Sequence, residues 1–174
     1  MQWSLVGSEM CIRDRLGTIG DTPIVRLSKI GRDQPHEIFV KLEYFNPGQS
    51  VKDRAALSIV DAAEKRGELT GESTIIEATS GNTGLGLAMI GAIRGSPVIL
   101  VMPDKVSEEK REILRAFGAK VVVCPTAVEP EDARSYYSVA KKLVEITPNA
   151  FYANQYFNED NMLVHYRTTA PEIQ

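Results

Sequence analysis

Hydrophobic and polar positions alternate with two distinct periods from Val51 onward. Apolar residues at helical spacing predict a helix over Val51–Arg66, which Gly67 ends. Short apolar runs and further helical stretches then follow one another through short connections. The predicted strands are Ser73–Ala78, Pro97–Met102, Lys120–Cys124 and Ala150–Ala153, and the predicted helices between them are Asn82–Arg94, Glu108–Phe117 and Pro130–Ile146. This order predicts an α/β fold: a parallel four-stranded sheet with helices on both faces.

The chain on either side of this unit is less regular. Two β-rich runs, Ile24–Leu27 and Ile38–Tyr44, precede it, and a helix-like stretch follows Asn154. The first fifteen residues show neither a helical nor a strand period, and SLVGSEMCIRDR resembles translated linker sequence. We therefore interpret residues 1–15 as a non-native or disordered leader.

Composition and charge exclude several classes of protein. Of the 174 residues, 43% are hydrophobic and 25% charged, as in soluble globular domains, and the net charge is −3. That charge argues against a nucleic-acid or polybasic membrane surface, and the apolar stretches are too short to span a bilayer. The cysteines, Cys11 and Cys124, and two isolated histidines form no disulfide or metal-binding motif. This composition fits a reducing, cytoplasmic location without a metal site.

The segment Asn46–Arg54 contains the first candidate for chemistry. Pro47-Gly48 predicts a turn, and Ser50 and Asp53 have capping-box spacing. Lys52 would then be the second residue of the helix, where the positive end of the helix dipole disfavours a cation and suits a lysine nucleophile. The alternative is a solvated lysine beside an ordinary helix cap.

The second candidate is the loop Thr79–Gly84, between a predicted strand and its helix. Its hydroxyl groups, its amide and the free backbone N–H groups of a helix start would converge on an anion such as a carboxylate or phosphate. Asn154-Gln155-Tyr156 follows the fourth strand, at the same sheet edge, so Gln155 could add a hydrogen bond. A capped turn that needs its glycines only for shape remains the alternative.

A dinucleotide-binding unit would also place a glycine-rich loop after a strand. Here Gly81, Gly84 and Gly86 give G-x-x-G-x-G, and the reading frame that starts at Gly84 reaches Met89 where that fingerprint has Gly or Ala. The glycine spacing therefore disfavours this alternative.

Four segments together resemble the pyridoxal-phosphate enzymes of the cysteine synthase and cystathionine β-synthase family, of fold type II. They are KLEYFNPGQSVKDRAA, IIEATSGNTGLGLAM, VMPDKVSEEKREILRAFGAKVVV and NQYFNEDNMLVHYRTTAPEI. The resemblance extends in order from Leu16 to Gln174, and the spacing between the SVKDR and TSGNTG motifs is that of the family.

The resemblance implies pyridoxal 5′-phosphate as the cofactor and a role for each matching residue. Lys52 corresponds to the lysine that forms the Schiff base and moves the α-proton of the substrate, and Asn82 to the residue that binds the 3′-oxygen of the cofactor. The residues that match the family's substrate-carboxylate clamp are Thr79, Ser80, Gly81, Thr83 and Gln155. The implied reaction replaces the β-substituent of serine or O-acetylserine by a thiol: homocysteine gives cystathionine and sulfide gives cysteine.

Domain organisation is also implied. Residues 46–156 match the small α/β domain, residues 16–45 the first part of a large domain, and residues 157–174 the start of its remainder. We therefore expect an N-terminal fragment of a protein that forms a homodimer at full length and acts on small molecules, not on nucleic acid or membranes. A non-catalytic fragment that only binds amino acids is the alternative.

Finer similarity separates the two branches of the family. PTAVEPEDARSYYSVAKKL and HYRTTAPEI favour bacterial cystathionine β-synthase over O-acetylserine sulfhydrylase. The sequence departs from the family at Gln49, where Gly or another small residue is usual, and at Ala78, where many members have Pro. The family's glycine-threonine loop for the cofactor phosphate and the hydroxyl residue at the pyridine nitrogen come later than Gln174.

Overall fold

A computed structural model describes residues 14–174. Residues 1–13, most of the predicted leader, lie outside the described residues. The last two leader residues contact the fold. The Asp14 carboxylate accepts a hydrogen bond from the Leu16 N–H at 2.7 Å, and Arg15 Nη2 donates to the Pro47 carbonyl at 3.0 Å. Asp14 and Arg15 thus contact the rest of the described chain.

The regular elements follow the predicted order. The strands are β1 (Ile24–Arg26), β2 (Phe39–Lys41), β3 (Thr74–Ala78), β4 (Val98–Pro103), β5 (Lys120–Cys124) and β6 (Ala150–Tyr152). The helices are α1 (Lys52–Arg66), α2 (Asn82–Arg94), α3 (Glu108–Ala116), α4 (Tyr136–Ile146), α5 (Glu159–Val164) and α6 (Ala170–Ile173). Short 3₁₀ turns cover Arg15–Thr18 and Glu43–Phe45, and a π-helical turn, His165–Thr169, joins α5 to α6.

Strands β3 to β6 form one parallel sheet in the order β5-β4-β3-β6. Buried side chains from α1, α2 and α3 fill one core, which includes Ile59, Leu87 and Leu114. A smaller core, which includes Ala78, Val101 and Ala140, packs β3 to β5 against α4. The predicted α/β fold with helices on both faces is confirmed. The central position of β3 places its carboxyl end between those of β4 and β6.

Strands β1 and β2 form a separate antiparallel pair, with Val25 opposite Val40. Ile24, Val25 and Val40 are exposed, and Phe39 is 57% exposed. Within residues 14–174 this pair therefore keeps apolar side chains at the surface.

The helix predicted from Pro130 begins six residues later, at Tyr136, so its predicted start was wrong. Asp132 Oδ1 accepts from the Arg134 N–H at 2.8 Å, and Ser135 Oγ accepts from the Ser138 N–H at 3.1 Å. These side chains offer the backbone an alternative to helical hydrogen bonds, so residues before Ser135 form turns and Ser135 becomes the N-cap.

Arg54 of α1 joins the first and last parts of the described chain. Its side chain is 2% exposed, and its guanidinium contacts Glu43 at 2.8 Å and Glu172 of α6 at 2.5 and 2.6 Å. Lys41 of β2 also contacts Glu172, at 2.6 Å. Hydrogen bonds from Arg54 lower the pKa of Glu172 to about 2. Because the cation is buried, these contacts fix α6 and the Glu43 turn against α1.

Among residues 14–174, no helix has the length and hydrophobicity needed to cross a membrane.

Candidate active site

Lys52 is the first residue of α1, directly after a turn held by side chains. Asn46 Nδ2 donates to the Ser50 carbonyl at 3.1 Å, and the Asp53 carboxylate accepts from the Gly48 N–H at 2.5 Å. The backbone that leads into Lys52 is thus fixed from both sides, which limits the region that the lysine amine can reach.

The predicted capping box is wrong. Ser50 Oγ accepts from the Lys52 N–H at 3.1 Å, which makes Lys52 the first helical residue instead of the second. The Asp53 carboxylate bonds Gly48 instead of Ser50, because the turn folds back over the start of α1. A Cβ at Gly48 would overlap the Asp53 carboxylate. Glycine is therefore required at Gly48 for this close approach.

Asp53 is fully buried beside the lysine. Burial raises its pKa to about 6, although the hydrogen bond from Gly48 opposes that rise, and its Oδ1 has no partner among the described residues. The spacing of Ser50 and Asp53 predicted only a capping role for Asp53, and no sequence pattern indicated its burial.

The unusual residue in the turn, Gln49, has a backbone φ of 61°. In this left-handed region a non-glycine residue is strained by roughly 1–2 kcal/mol. Gln49 adopts this conformation because the hydrogen-bonded turn dictates the backbone.

The loop Thr79–Thr83 lies at the carboxyl end of β3 and starts α2. Thr79 Oγ1 accepts from the Gly81 N–H at 3.2 Å, and no side chain caps α2. Thr79 and Thr83 are buried, whereas Ser80 and Asn82 are exposed. The first N–H groups of α2 and the exposed side chains of Ser80 and Asn82 thus have no helix-capping partner and could donate to an anion.

Gln155 meets this loop from the neighbouring strand. It follows β6, which pairs with β3, and its Oε1 accepts a hydrogen bond from Thr83 Oγ1. Asn161 Nδ2 donates to the Gln155 carbonyl at 2.8 Å. Gln155 is 6% exposed. The structure therefore brings together Thr83 and Gln155, two residues that are distant in sequence.

Close packing of α1 on α2 aligns the two motifs. Gly86 of α2 faces the first turn of α1, and a Cβ there would lie 2.8 Å from the Ala56 Cβ and 3.5 Å from the Lys52 carbonyl oxygen. A cavity of about 200 Å³ opens between the two loops, lined by Gly48 and Gln49 on one side and by Asn82 on the other.

A second cavity, of about 620 Å³, is lined by Arg54, Asp61 and Glu172, among others. It contains none of the predicted site residues, so the smaller cavity is the one associated with the two motifs.

His165, one of the two isolated histidines, lies near Lys52 and Arg54. Burial lowers its pKa, and the positive charges of Lys52 and Arg54 lower it further. Its Nδ1 is 2.9 Å from Thr169 Oγ1 in the π-helical turn. That bond gives the His165 ring a partner within its own turn, so we interpret His165 as a structural residue.

Glu77, in the buried run STIIEA, was not singled out from the sequence. It is fully buried at the carboxyl end of β3, and burial raises its pKa to about 7. The one available signal was an acidic residue inside an otherwise buried strand, a position that is costly for a charge.

Comparison with known proteins assigns the chain to the same family as its motifs do. The family described as pyridoxal-phosphate dependent enzyme matches residues 16–174. The chain belongs to this family. The match excludes the dinucleotide-binding alternative and confirms the resemblance drawn from the SVKDR and TSGNTG motifs.

Relatives in this pyridoxal-phosphate family carry both expected names. Cystathionine β-synthase from Oryctolagus cuniculus is 46% identical over 172 residues, 98% of this chain and 31% of that protein. Cysteine synthase from a Flavobacterium species is 44% identical over 164 residues, 94% of this chain and 52% of that protein. The chain thus spans about a third to a half of these relatives.

Solved structures of the family have the same fold. O-ureido-L-serine synthase superposes with a TM-score of 0.86 at 43% identity, over 94% of this chain and 50% of that chain. An O-acetylserine-dependent cystathionine β-synthase from Helicobacter pylori gives a TM-score of 0.84 at 38% identity, over 94% and 53%.

The residues present fit the family's cofactor. A lysine amine is the group that binds an aldehyde, and the exposed Asn82 amide, beside the cavity, can donate to an oxygen anion. Among residues 14–174, no cluster of three or more His, Cys, Asp or Glu side chains could hold a metal ion.

Proposed function

We propose that this chain is the part of a pyridoxal-phosphate enzyme that binds and activates the amino-acid substrate for β-replacement. The substrate is serine or O-acetylserine, and the incoming nucleophile is a thiol. The observation that carries the proposal is the placement of Lys52 and the Thr79–Thr83 loop on two helices that pack together at Gly86.

The loop and Gln155 bind the substrate carboxylate in this proposal. Backbone N–H groups at the uncapped start of α2 and the exposed Ser80 hydroxyl donate to it. Thr79 and Gly81 shape the loop through their hydrogen bond. The Thr83 hydroxyl donates to Gln155 Oε1, and this bond orients the Gln155 side chain so that its NH2 group adds donors from the buried side.

Lys52 and Asn82 would hold the cofactor. Lys52 Nζ would be its covalent attachment point and, as the free amine, the group that takes the α-proton of the substrate, and Asn82 would donate a hydrogen bond to its 3′-oxygen. Bound pyridoxal phosphate supplies an electron sink for the electrons of that C–H bond. Lys52 is the first residue of α1, four residues after Gly48, which lines the cavity.

The decisive experiment compares Lys52→Ala with Lys65→Ala, an exposed lysine at the other end of α1. Cofactor binding is followed by the visible absorbance of the bound cofactor, and turnover by product formation in the full-length protein. We expect Lys52→Ala to abolish the absorbance and to lower turnover by at least about 100-fold, the usual scale for a proton-transferring group. Lys65→Ala retains both. Retention of absorbance and turnover in Lys52→Ala would contradict the proposal.

Homocysteine is the proposed thiol, on the similarity of PTAVEPEDARSYYSVAKKL and HYRTTAPEI to bacterial cystathionine β-synthase. Sulfide, as for a cysteine synthase, is the second candidate; the relative named cystathionine β-synthase supports the first candidate and the relative named cysteine synthase the second. Comparing kcat/KM for the two thiols with each of serine and O-acetylserine decides between them.

A non-catalytic amino-acid-binding chain is the alternative function, since the chain spans only a third to a half of its relatives. Calorimetry with serine, with and without the cofactor, tests it on residues 1–174. Serine binding that needs no cofactor and gives no turnover favours the binder. Cofactor-dependent binding favours the enzyme.

The assembly and location follow from the family resemblance and the composition. We propose that residues 46–156 are the small domain and residues 16–45 and 157–174 parts of the large one. We also propose that the full-length protein is a cytoplasmic homodimer. Sedimentation of the full-length protein tests the dimer.

A further inference from the structure

Glu77 connects the central strand of the sheet to the turn that carries Gln155. Its side chain is fully buried, two residues before Thr79. One carboxyl oxygen, Oε1, accepts a hydrogen bond from the Gln155 backbone N–H at 3.4 Å. The other, Oε2, is buried and has no partner among the described residues.

Gln155 is consequently held at two points. Its backbone N–H meets Glu77, and its side chain meets the Thr83 hydroxyl on α2. Asn154, just before it, has a φ of 47°, a left-handed conformation that turns the chain sharply after β6. Weakening the hydrogen bond between Glu77 and the Gln155 N–H therefore alters the position of the Gln155 side chain in the proposed substrate-carboxylate site.

No described cation compensates the charge of Glu77. The groups that act on its pKa are burial, which raises it, and hydrogen bonds from Gln155 and Asn154, which lower it. The titratable neighbours are tyrosines: Tyr137 on α4, Tyr152 in β6 and Tyr156 after it. A hydrogen bond to Tyr136 raises the pKa of Tyr137, burial raises the pKa of Tyr152 and Tyr156, and the Glu77 charge raises all three further. Their hydroxyls are neutral near pH 7. Glu77 therefore exchanges its proton near neutrality without a compensating cation.

We propose that Glu77 is a positioning residue for the substrate-carboxylate site, whose ionised carboxylate fixes Gln155 against Thr83 and whose protonation releases it. The inference rests on the proposed function in one respect, the role of Gln155 and Thr83 in binding the substrate carboxylate. A proton from solvent adds to a Glu77 oxygen, and the neutral carboxyl is a weaker acceptor for the Gln155 N–H.

The first test follows the Gln155 backbone amide by NMR from about pH 5 to about pH 9, in a chain without cofactor. We expect its chemical shift to titrate with a midpoint near 7 in the wild type. Glu77→Gln, which keeps the shape and an acceptor oxygen, should abolish that titration. Glu109→Gln, at an exposed position on α3, should leave it unchanged. An amide that does not titrate in the wild type, or that titrates equally in Glu77→Gln, overturns the inference.

A second measurement needs no variant, which matters if Glu77→Gln fails to fold. The carboxyl ¹³C shift of Glu77 in the wild-type protein should titrate with the same midpoint as the Gln155 amide. A carboxyl midpoint near the ordinary glutamate value of about 4.3 overturns the inference.

In the full-length enzyme, we compare KM for the amino acid at about pH 8 and about pH 6. In the wild type, KM should rise on acidification by a factor about threefold or more greater than in Glu77→Gln. Glu109→Gln should show the same rise as the wild type. Equal KM profiles in the wild type and Glu77→Gln would overturn the role in substrate binding. Because the NMR tests need no cofactor, failure of the proposed function and failure of this inference give different results.

Discussion

Gly86 of α2 lies against Ala56 of α1 with no room for a side chain, since an added Cβ would stand 2.8 Å from the Ala56 Cβ. Gly86→Ala should therefore push the two helices apart and destabilise the protein by about 1–3 kcal/mol, the usual cost of overpacking. The separation would also move Lys52 away from the Thr79–Thr83 loop. Denaturant unfolding and cofactor binding measure the two effects.

Gly71→Ala is the matched control, because no atom lies within 4 Å of a Cβ added there. It should leave stability and cofactor binding nearly unchanged. Equal effects of the two substitutions would show that the helix contact at Gly86 is not tight.

Arg54→Met should strongly destabilise the fold. It leaves the carboxylates of Glu43 and Glu172 without their buried cation, and breaking such a pair costs about 3–5 kcal/mol. Arg134→Met breaks an exposed pair with Asp132 and should barely change the unfolding midpoint. Midpoints that fall equally in both variants would contradict a central role for Arg54.

Asp53→Asn should change how stability depends on pH. The pKa of Asp53 is raised from 3.8 to about 6 in the folded protein, so its contribution to stability is full below about pH 4 and is lost as the pH rises through 6. The wild type should therefore lose about 2–3 kcal/mol relative to Asp53→Asn across this window, at 1.36 kcal/mol per pKa unit. Denaturant unfolding at a series of pH values gives the difference curve.

Asp33→Asn, at an exposed position, serves as the control for the Asp53 experiment. Its difference curve against the wild type should be flat over the same pH range. A flat curve for Asp53→Asn would mean that the Asp53 carboxyl is solvated in solution.

Thr83→Val should weaken substrate binding without removing the fold. Valine has the shape of threonine but cannot donate to Gln155 Oε1, so the amide loses the bond that orients it. We expect KM for the amino acid to rise about tenfold, as for the loss of one hydrogen bond of about 1.4 kcal/mol. Thr83→Ser keeps the hydroxyl and should retain the wild-type KM. Equal KM values for the Thr83→Val and Thr83→Ser variants would rule out an orienting role for the Thr83–Gln155 hydrogen bond.

The sheet was predictable because its signals are local. Four apolar runs, each short and each separated from the next by a helix, gave the strands to within one residue at each end. Glycines marked the ends of α1 and α2, where Gly67 and Gly95 adopt left-handed backbone conformations. The start of α4 was missed because Asp132 and Ser135 bind nearby backbone groups, a local competition that apolar periodicity does not show.

The candidate site was only partly predictable. Strand order placed Gln155 at the same sheet edge as the Thr79–Thr83 loop, because carboxyl ends of parallel strands share an edge. The burial of Asp53 and Glu77 could not be derived, since it depends on how the Gly48 turn and the Asn154 turn fold over them. The approach of His165 to Lys52 depends on the packing of α5 and its π-helical turn against α1, which is likewise non-local.

The exposed apolar side chains of the β1–β2 strand pair affect how the unfolding experiments on these variants are interpreted. Apolar area left in water costs on the order of 25 cal/mol per Å², and any surface that covers Phe39 and its neighbours recovers part of that free energy. A partner that binds only the folded state stabilises it by mass action. Where the covering surface belongs to a second copy of this chain, unfolding midpoints rise with protein concentration, so the variants are compared at one fixed concentration.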